Sequence, residues 1–335
     1  MTSLGFGVLG AGRIGRLHAR NLSGAVDRAR VVGVMDAIPE AAEVVAAASD
    51  GAYATQDAEA LIKDEQIDCV LIASPTTLHA EQIVLAARAG KAIFCEMPVA
   101  FTLPETIEAM EVVEETGVPF QIGFNRRFDP GIAAVAEAIH SGGLGEVEMF
   151  RSQSGDHSPP PLDYVATSGG IYLDSAIHDI DVARFIVGEV ERVTALGRVL
   201  IEPGMEEHGD VDTSVLTLEF ASGALGIIQN SRRTAYGHDV RVEVHAAAGK
   251  VVSEEERDTQ AWTYTREGIR GDYRSDFLER FKQAYIRELQ SFVDAVLEGR
   301  KPSPGPRDAV ESLRVAIAAT RSLHEKRPVR LVEVA

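Results

Sequence analysis

Asp174 and His178 are the first residues in this chain whose types and spacing suggest chemistry. They stand four residues apart in the run Gly169-Gly170-Ile171-Tyr172-Leu173-Asp174-Ser175-Ala176-Ile177-His178-Asp179-Ile180-Asp181. On a helix that spacing puts both side chains on one face, about one turn apart. Histidine titrates near neutrality and suits proton transfer; a carboxylate beside it can orient the imidazole or a bound hydroxyl. Taken alone, the pair equally describes a helix-capping aspartate followed by a structural histidine. Asp156 and His157 form a second such pair beside Pro159-Pro160-Pro161, on a stretch that reads as a stiff loop.

A different chemistry is written near the N-terminus. Gly10-Ala11-Gly12-Arg13-Ile14-Gly15 is a G-x-G-x-x-G that follows a predicted strand and opens a predicted helix. Gly10 permits the tight turn, Gly12 lets a pyrophosphate approach the backbone, and Gly15 lets helix and strand pack closely. The helix N-terminus offers unpaired N–H groups to phosphates. Asp36 stands 21 residues beyond Gly15, at the end of the second predicted strand. A carboxylate there accepts hydrogen bonds from ribose hydroxyls and repels a 2′-phosphate, and Ala37-Ile38-Pro39 supply no arginine. The cofactor expected is NAD.

The elements that must position these residues follow from hydrophobic period. Continuous apolar runs over 4–9, 30–35, 69–73, 93–95 and 120–122 alternate with helical patterns over 14–22, 39–48, 78–89 and 104–116. That rhythm predicts an α/β fold with an N-terminal Rossmann, doubly wound parallel sheet over 1–124. From 125 to 335 the pattern predicts an α+β domain for substrate binding and oligomerisation, with a large, open, mostly antiparallel sheet. Leu216, Leu218 and Phe220 share one strand face, as do Val240, Val242 and Val244. One continuous helix is expected over 171–187, and long helices over 276–297 and 307–324. An open sheet with one helix-free face suggests a homo-oligomer.

The net charge of −18 argues against nucleic acid or anionic lipid as partner. No run approaches the ~18 apolar residues of a membrane span. Cys69 and Cys95 lie in apolar strand-like runs and no secretory pattern opens the chain, so a reducing, cytoplasmic location is expected. The histidines and carboxylates form no metal-binding motif, and no catalytic metal is expected.

Further motifs carry a family resemblance. Ala73-Ser74-Pro75-Thr76-Thr77-Leu78-His79, Cys95-Glu96-Met97-Pro98 and the Gly169-to-Asp181 block, in this order, resemble the Gfo/Idh/MocA oxidoreductases, within them most closely the bacterial inositol 2-dehydrogenases. The resemblance covers essentially the whole chain. It implies NAD-dependent oxidation of a secondary hydroxyl of a cyclic polyol such as myo- or scyllo-inositol, with His178 and Asp174 at the chemistry. It further implies that Ser74, Thr76 and His79 lie along the cofactor near the ribose, that Glu96 lies near the nicotinamide end, and that Asn125, after the last Rossmann strand, also binds cofactor. Arg127, Asp156, His157, Tyr236 and Tyr285 would line the substrate pocket, and the assembly would be a homotetramer. Family members carry lysine where this chain has Met97, a thioether that cannot relay protons. That position is either a substitution introduced into a lysine-bearing site or a natural variant. Two other readings stay open: a dehydrogenase of another sugar or sugar derivative, and a non-catalytic NAD-binding regulator.

Overall fold

The computed structural model describes residues 3–254, 259, 261–274 and 276–334. The chain forms two units, residues 1–125 with 285–311, and residues 126–284 with 312–335.

In the first unit, β1 (Leu4–Leu9), β2 (Ala29–Met35), β3 (Tyr53–Thr55), β4 (Cys69–Ile72), β5 (Ala92–Glu96) and β6 (Phe120–Gly123) form a parallel sheet in the order β3-β2-β1-β4-β5-β6. The crossovers are α1 (Arg13–Gly24), α2 (Pro39–Ala47), α3 (Ala58–Lys63), α4 (Thr76–Arg88) and α5 (Leu103–Thr116). The strands that read as continuous apolar runs are those buried on both faces, such as β1 and β4. Two elements escaped the periodicity argument, β3 and α3. β3 is short and only partly covered. α3 is set by a local signal instead: the Asp57 side chain accepts from the Ala60 N–H and caps it. Leu289, Phe292 and Val293 of the helix Lys282–Leu297 are buried in one core with Phe6, Leu71 and Phe94. Their apolar face is why residues 285–311 belong with the first unit, whereas the sequence reading assigned everything from 125 onward to the second.

The second unit contains α6 (Pro130–His140), β7 (Val147–Gly155), α7 (Leu162–Ser168), α8 (Ile177–Val187), β8 (Val190–Arg198), β9 (Thr213–Phe220), β10 (Leu225–Ser231), β11 (Asp239–Ala246) and β12 (Gly249–Ser253). A small hairpin follows, β13 (Thr263–Thr265) with β14 (Gly268–Arg270). The chain continues through α9 (Phe277–Arg280), α10 (Lys282–Leu297), α11 (Pro306–Glu325) and β15 (Val329–Arg330). Seven strands form one sheet, in the order β12-β11-β7-β10-β9-β8-β15. It is antiparallel except for β7 and β10, which run parallel. α6 and α8 pack against it. On the opposite face Leu196, Val215, Leu225 and Ile227 are exposed, because the period of two along β8, β9 and β10 turns them away from the helices.

Three expectations for this half change. The proline-rich stretch is not all loop: α7 starts directly after Pro161, a residue that suits a helix entrance. The helix expected over 171–187 opens with a π-helical turn, Tyr172–Ala176, before α8. The helix expected over 276–297 is broken at Phe281 into α9 and α10. Among the described residues, no helix is long and apolar enough to cross a membrane.

Candidate active site

The glycine-rich turn has the shape that a bound dinucleotide requires. Gly10 has φ +99°, and a Cβ there would lie 2.5 Å from the Ala73 carbonyl oxygen. A Cβ on Gly15 would meet the Gly10 carbonyl oxygen at 1.9 Å, so α1 can lie this close to the turn only with glycine. A Cβ on Gly12 would meet nothing within 4 Å: this position is open on the side where a phosphate must approach. Gly12 is also the N-cap of α1 and places no side chain on the N–H groups of Arg13 and Ile14, and no acidic residue stands in that first turn. Asp36 Oδ2 accepts from the Ala11 N–H at 2.7 Å and its Oδ1 from the Ile38 N–H at 2.9 Å. The carboxylate that would read the ribose therefore also braces the glycine turn. These residues fit NAD.

Ser74 and Thr76 lie at the entrance to α4, the Ser74 hydroxyl donating to Gln82 Oε1 at 2.6 Å. His79 is buried, with Nδ1 2.9 Å from the Pro98 carbonyl and Nε2 2.8 Å from the Ser74 carbonyl. It ties the turn after β4 to the turn after β5. That is a bracing position, on the turn that the resemblance implies lies along the cofactor. Burial pushes its pKa down, although both carbonyl contacts favour the proton. Glu96 ends β5 and meets His18 Nε2 at 2.5 Å. Met97 follows, half-buried, joined to Pro98 by a cis peptide. Asn125, after β6, is buried.

In the second unit, sheet register assembles the polar groups. Gly155 ends β7 opposite Ser231, the end of β10, so Asp156 and Arg232 leave parallel strands side by side. Gly155 also pairs with Asp239, which sets His238 at the start of β11. Arg232 is buried, and its guanidinium reaches Asp174 Oδ2 at 2.7 Å and Asp156 Oδ2 at 3.2 Å. Burial opposes its charge, but Asp174 and Asp156 outweigh that and raise its pKa. Asp156 is itself pushed up, by burial first; Arg232 pulls the other way and the charge of Asp174 adds to the rise. Asp174 Oδ1 accepts from the Tyr164 hydroxyl at 2.7 Å. His178 is half-buried; burial, then Arg126 and His238, push it down to about 3. It is thus neutral near pH 7. Arg126 is held by Ser154 Oγ at 2.7 Å and Asp179 at 2.9 Å.

The π turn changes how Asp174 and His178 are related. π turns close i to i+5, so residues four apart no longer stack as on an α-helix. Instead, Asp174 is aimed by Arg232 and Tyr164. Other expected residues make contacts of their own. Arg127 makes a bidentate pair with Asp181, at 2.7 and 2.6 Å, and lies over the Phe185 ring. His157 is exposed. Tyr236 is half-exposed and donates to Asp239 Oδ2 at 2.6 Å. Tyr285 belongs to the first unit, where it packs edge-on against His18. The sequence reading missed Tyr164, Arg232 and His238. Tyr164 had a weak signal, the apolar spacing of Leu162 and Val165 after the prolines; the other two had none, since a strand-end arginine and histidine look like any solvated residues.

Known proteins bear on both units. A family model described as an oxidoreductase family, NAD-binding Rossmann fold matches residues 4–124. A model of the C-terminal alpha/beta domain of the same oxidoreductase family matches residues 136–331. The chain is 44% identical over 328 residues to the inositol 2-dehydrogenase of Rhizobium meliloti, covering 97% of this chain and 98% of that one. It is 40% identical over 325 residues to the scyllo-inositol 2-dehydrogenase (NAD(+)) of Bacillus subtilis, covering 97% and 95%. The crystal structure of scyllo-inositol dehydrogenase from Lactobacillus casei with bound cofactor NAD(H) and scyllo-inositol superposes with a TM-score of 0.93 at 26% identity, over 99% of this chain and 100% of that one.

Proposed function

The chain belongs to the Gfo/Idh/MocA oxidoreductase family, and on that premise we propose that it oxidises a secondary hydroxyl of an inositol to the ketone. Its cofactor is NAD, held at the glycine turn and Asp36. When bound, NAD supplies the acceptor for the hydride that leaves carbon. The hydroxyl proton goes to His178, whose imidazole is unprotonated near pH 7. Asp174 accepts a hydrogen bond from a substrate hydroxyl. Arg232 and Tyr164 fix its position.

The observation that carries this reading is the Arg232 clamp on Asp174 and Asp156: two carboxylates are spent on one buried cation, with His238 Nδ1 3.8 Å from Asp156. Polyol recognition calls for such paired polar groups, since each buried hydroxyl needs a partner. Met97 lacks the proton-bearing group of its relatives, so turnover by this chain is expected to be slow while NAD binding is normal. Removing a positioned acid–base group costs ~10²–10⁴ in rate, and Met97→Lys is expected to recover ~10²-fold or more. The test is NADH formation from myo-inositol, scyllo-inositol and common hexoses by both forms. Flat activity of Met97→Lys with all of them would overturn the substrate class. Met97 also favours a second reading, a regulator that binds NAD without catalysis; tight NAD binding with no turnover even in Met97→Lys would support it. We further infer a cytoplasmic location, and a homotetramer as the resemblance implies; the exposed apolar residues Leu196, Val215, Leu225 and Ile227 support association between copies of the chain.

A further inference from the structure

Glu288 has no part in the proposed chemistry, yet it is a fully buried carboxyl group. Neither of its side-chain oxygens meets a hydrogen-bond partner among the described residues. It lies in the first unit with His18 of α1 and Glu96 of β5, and one polar atom from each of the three falls within 4.8 Å of the others. Gln121 of β6 faces it as an amide and donates to the backbone carbonyl of Glu288. One turn before it on α10, Tyr285 packs on His18; one turn after, Phe292 packs on Phe94. The titratable groups facing Glu288 from neighbouring elements are thus Glu96 and His18, in apolar surroundings.

Two carboxyl groups and one imidazole in so dry a place cannot both carry their full negative charge. The deficit is met by a proton or by a cation. Tetrahedral ligands of a zinc-like ion stand about 3.3 Å apart. His18 Nε2 and Glu96 Oε1 are 2.5 Å apart, a hydrogen-bond contact closer than two ligands of one ion stand. A cation would have to force that pair open.

We propose that Glu288, beside the His18–Glu96 hydrogen bond, is held as a neutral carboxylic acid, and that it links the stability of the NAD-binding unit to pH. Burial, with the charge of Glu96 adding to it, moves the Glu288 carboxyl well above its ordinary range. In the unfolded chain it titrates near ~4.3. Between those two pKa values folding takes up a proton. The contribution is complete below the lower value and is lost as pH rises toward the upper one, by up to roughly tenfold in the folding constant per pH unit. The inference does not depend on the substrate.

The test is Glu288→Gln in the full chain with NAD present, unfolded by denaturant between about pH 6 and about pH 8. The amide keeps the shape and needs no proton. The parent should lose stability as pH rises, and Glu288→Gln should lose less, its slope smaller by about one proton. The parent should show the infrared carbonyl band of a protonated carboxyl group near neutrality, missing in the variant. Should Glu288→Gln fail to fold, Glu288→Met and the infrared band of the parent carry the test. Equal pH slopes, or no such band, would overturn the proposal. A stoichiometric divalent metal in the parent, lost in the variant, would overturn it in favour of a cation.

Discussion

Arg232 does more for the proposed chemistry than its type and position suggest. A guanidinium presents two parallel donor edges, so it can hold Asp156 and Asp174 at once. Truncating it leaves two carboxylates facing each other in a buried site. Arg232→Gln is therefore expected to lower kcat by ~10²-fold or more, because Asp174 loses its aim. Arg232→Lys should restore only part of this, since a single ammonium does not span both partners. Steady-state kinetics of the two variants on an inositol checks the order. An Arg232→Gln enzyme with parental kcat would remove the clamp from the mechanism. Met97 is the opposite case. It sits half-buried just after β5, and its thioether carries no proton to give or take.

At the scale of elements, the glycine turn and α1 show how closely local backbone and cofactor binding are tied. Gly15→Ala would drive a methyl group to 1.9 Å from the Gly10 carbonyl oxygen, which only a shift of α1 relieves. The expected cost is about 1–3 kcal/mol of stability together with a loss of NAD affinity. Thermal melts and an NAD titration measure the two effects, and a variant that binds NAD as the parent does would show the close approach to be unnecessary. The glycine pattern was legible because each glycine answers a steric demand a few residues away. The π turn at Tyr172–Ala176 was not: its residues have ordinary helical types, and no local signal marks the wider turn. β3 and α3 were missed because their runs are too short for a period to register.

At the scale of the whole molecule, the chain leaves its first unit after Asn125 and returns for residues 285–311. Two surfaces follow from the folded units. One is the exposed apolar row Leu196, Val215, Leu225 and Ile227 on the helix-free sheet face. If that row is the subunit interface, Leu196→Glu with Ile227→Glu should lower the mass seen by light scattering while leaving NAD binding intact. A parent that is already monomeric would refute it. The other is the charge of −18, which keeps copies of the chain apart unless such an apolar contact outweighs it.

From sequence alone the parallel sheet of the first unit, the NAD-binding turn with Asp36, and the candidate pair Asp174 and His178 could be read. Their signals are local: a glycine that must be glycine, an apolar run that must be covered, a motif confined to a dozen residues. Only the tertiary structure decided what surrounds that pair. Asp156, Arg232 and His238 lie up to 82 residues apart and meet because β7 and β10 run parallel with β11 beside them, a register no short window encodes. The same holds for residues 285–311 and for Glu288, whose partners His18 and Glu96 come from the other end of the chain. Strand pairing and core packing are set by long-range burial, which the sequence specifies collectively and no single motif displays.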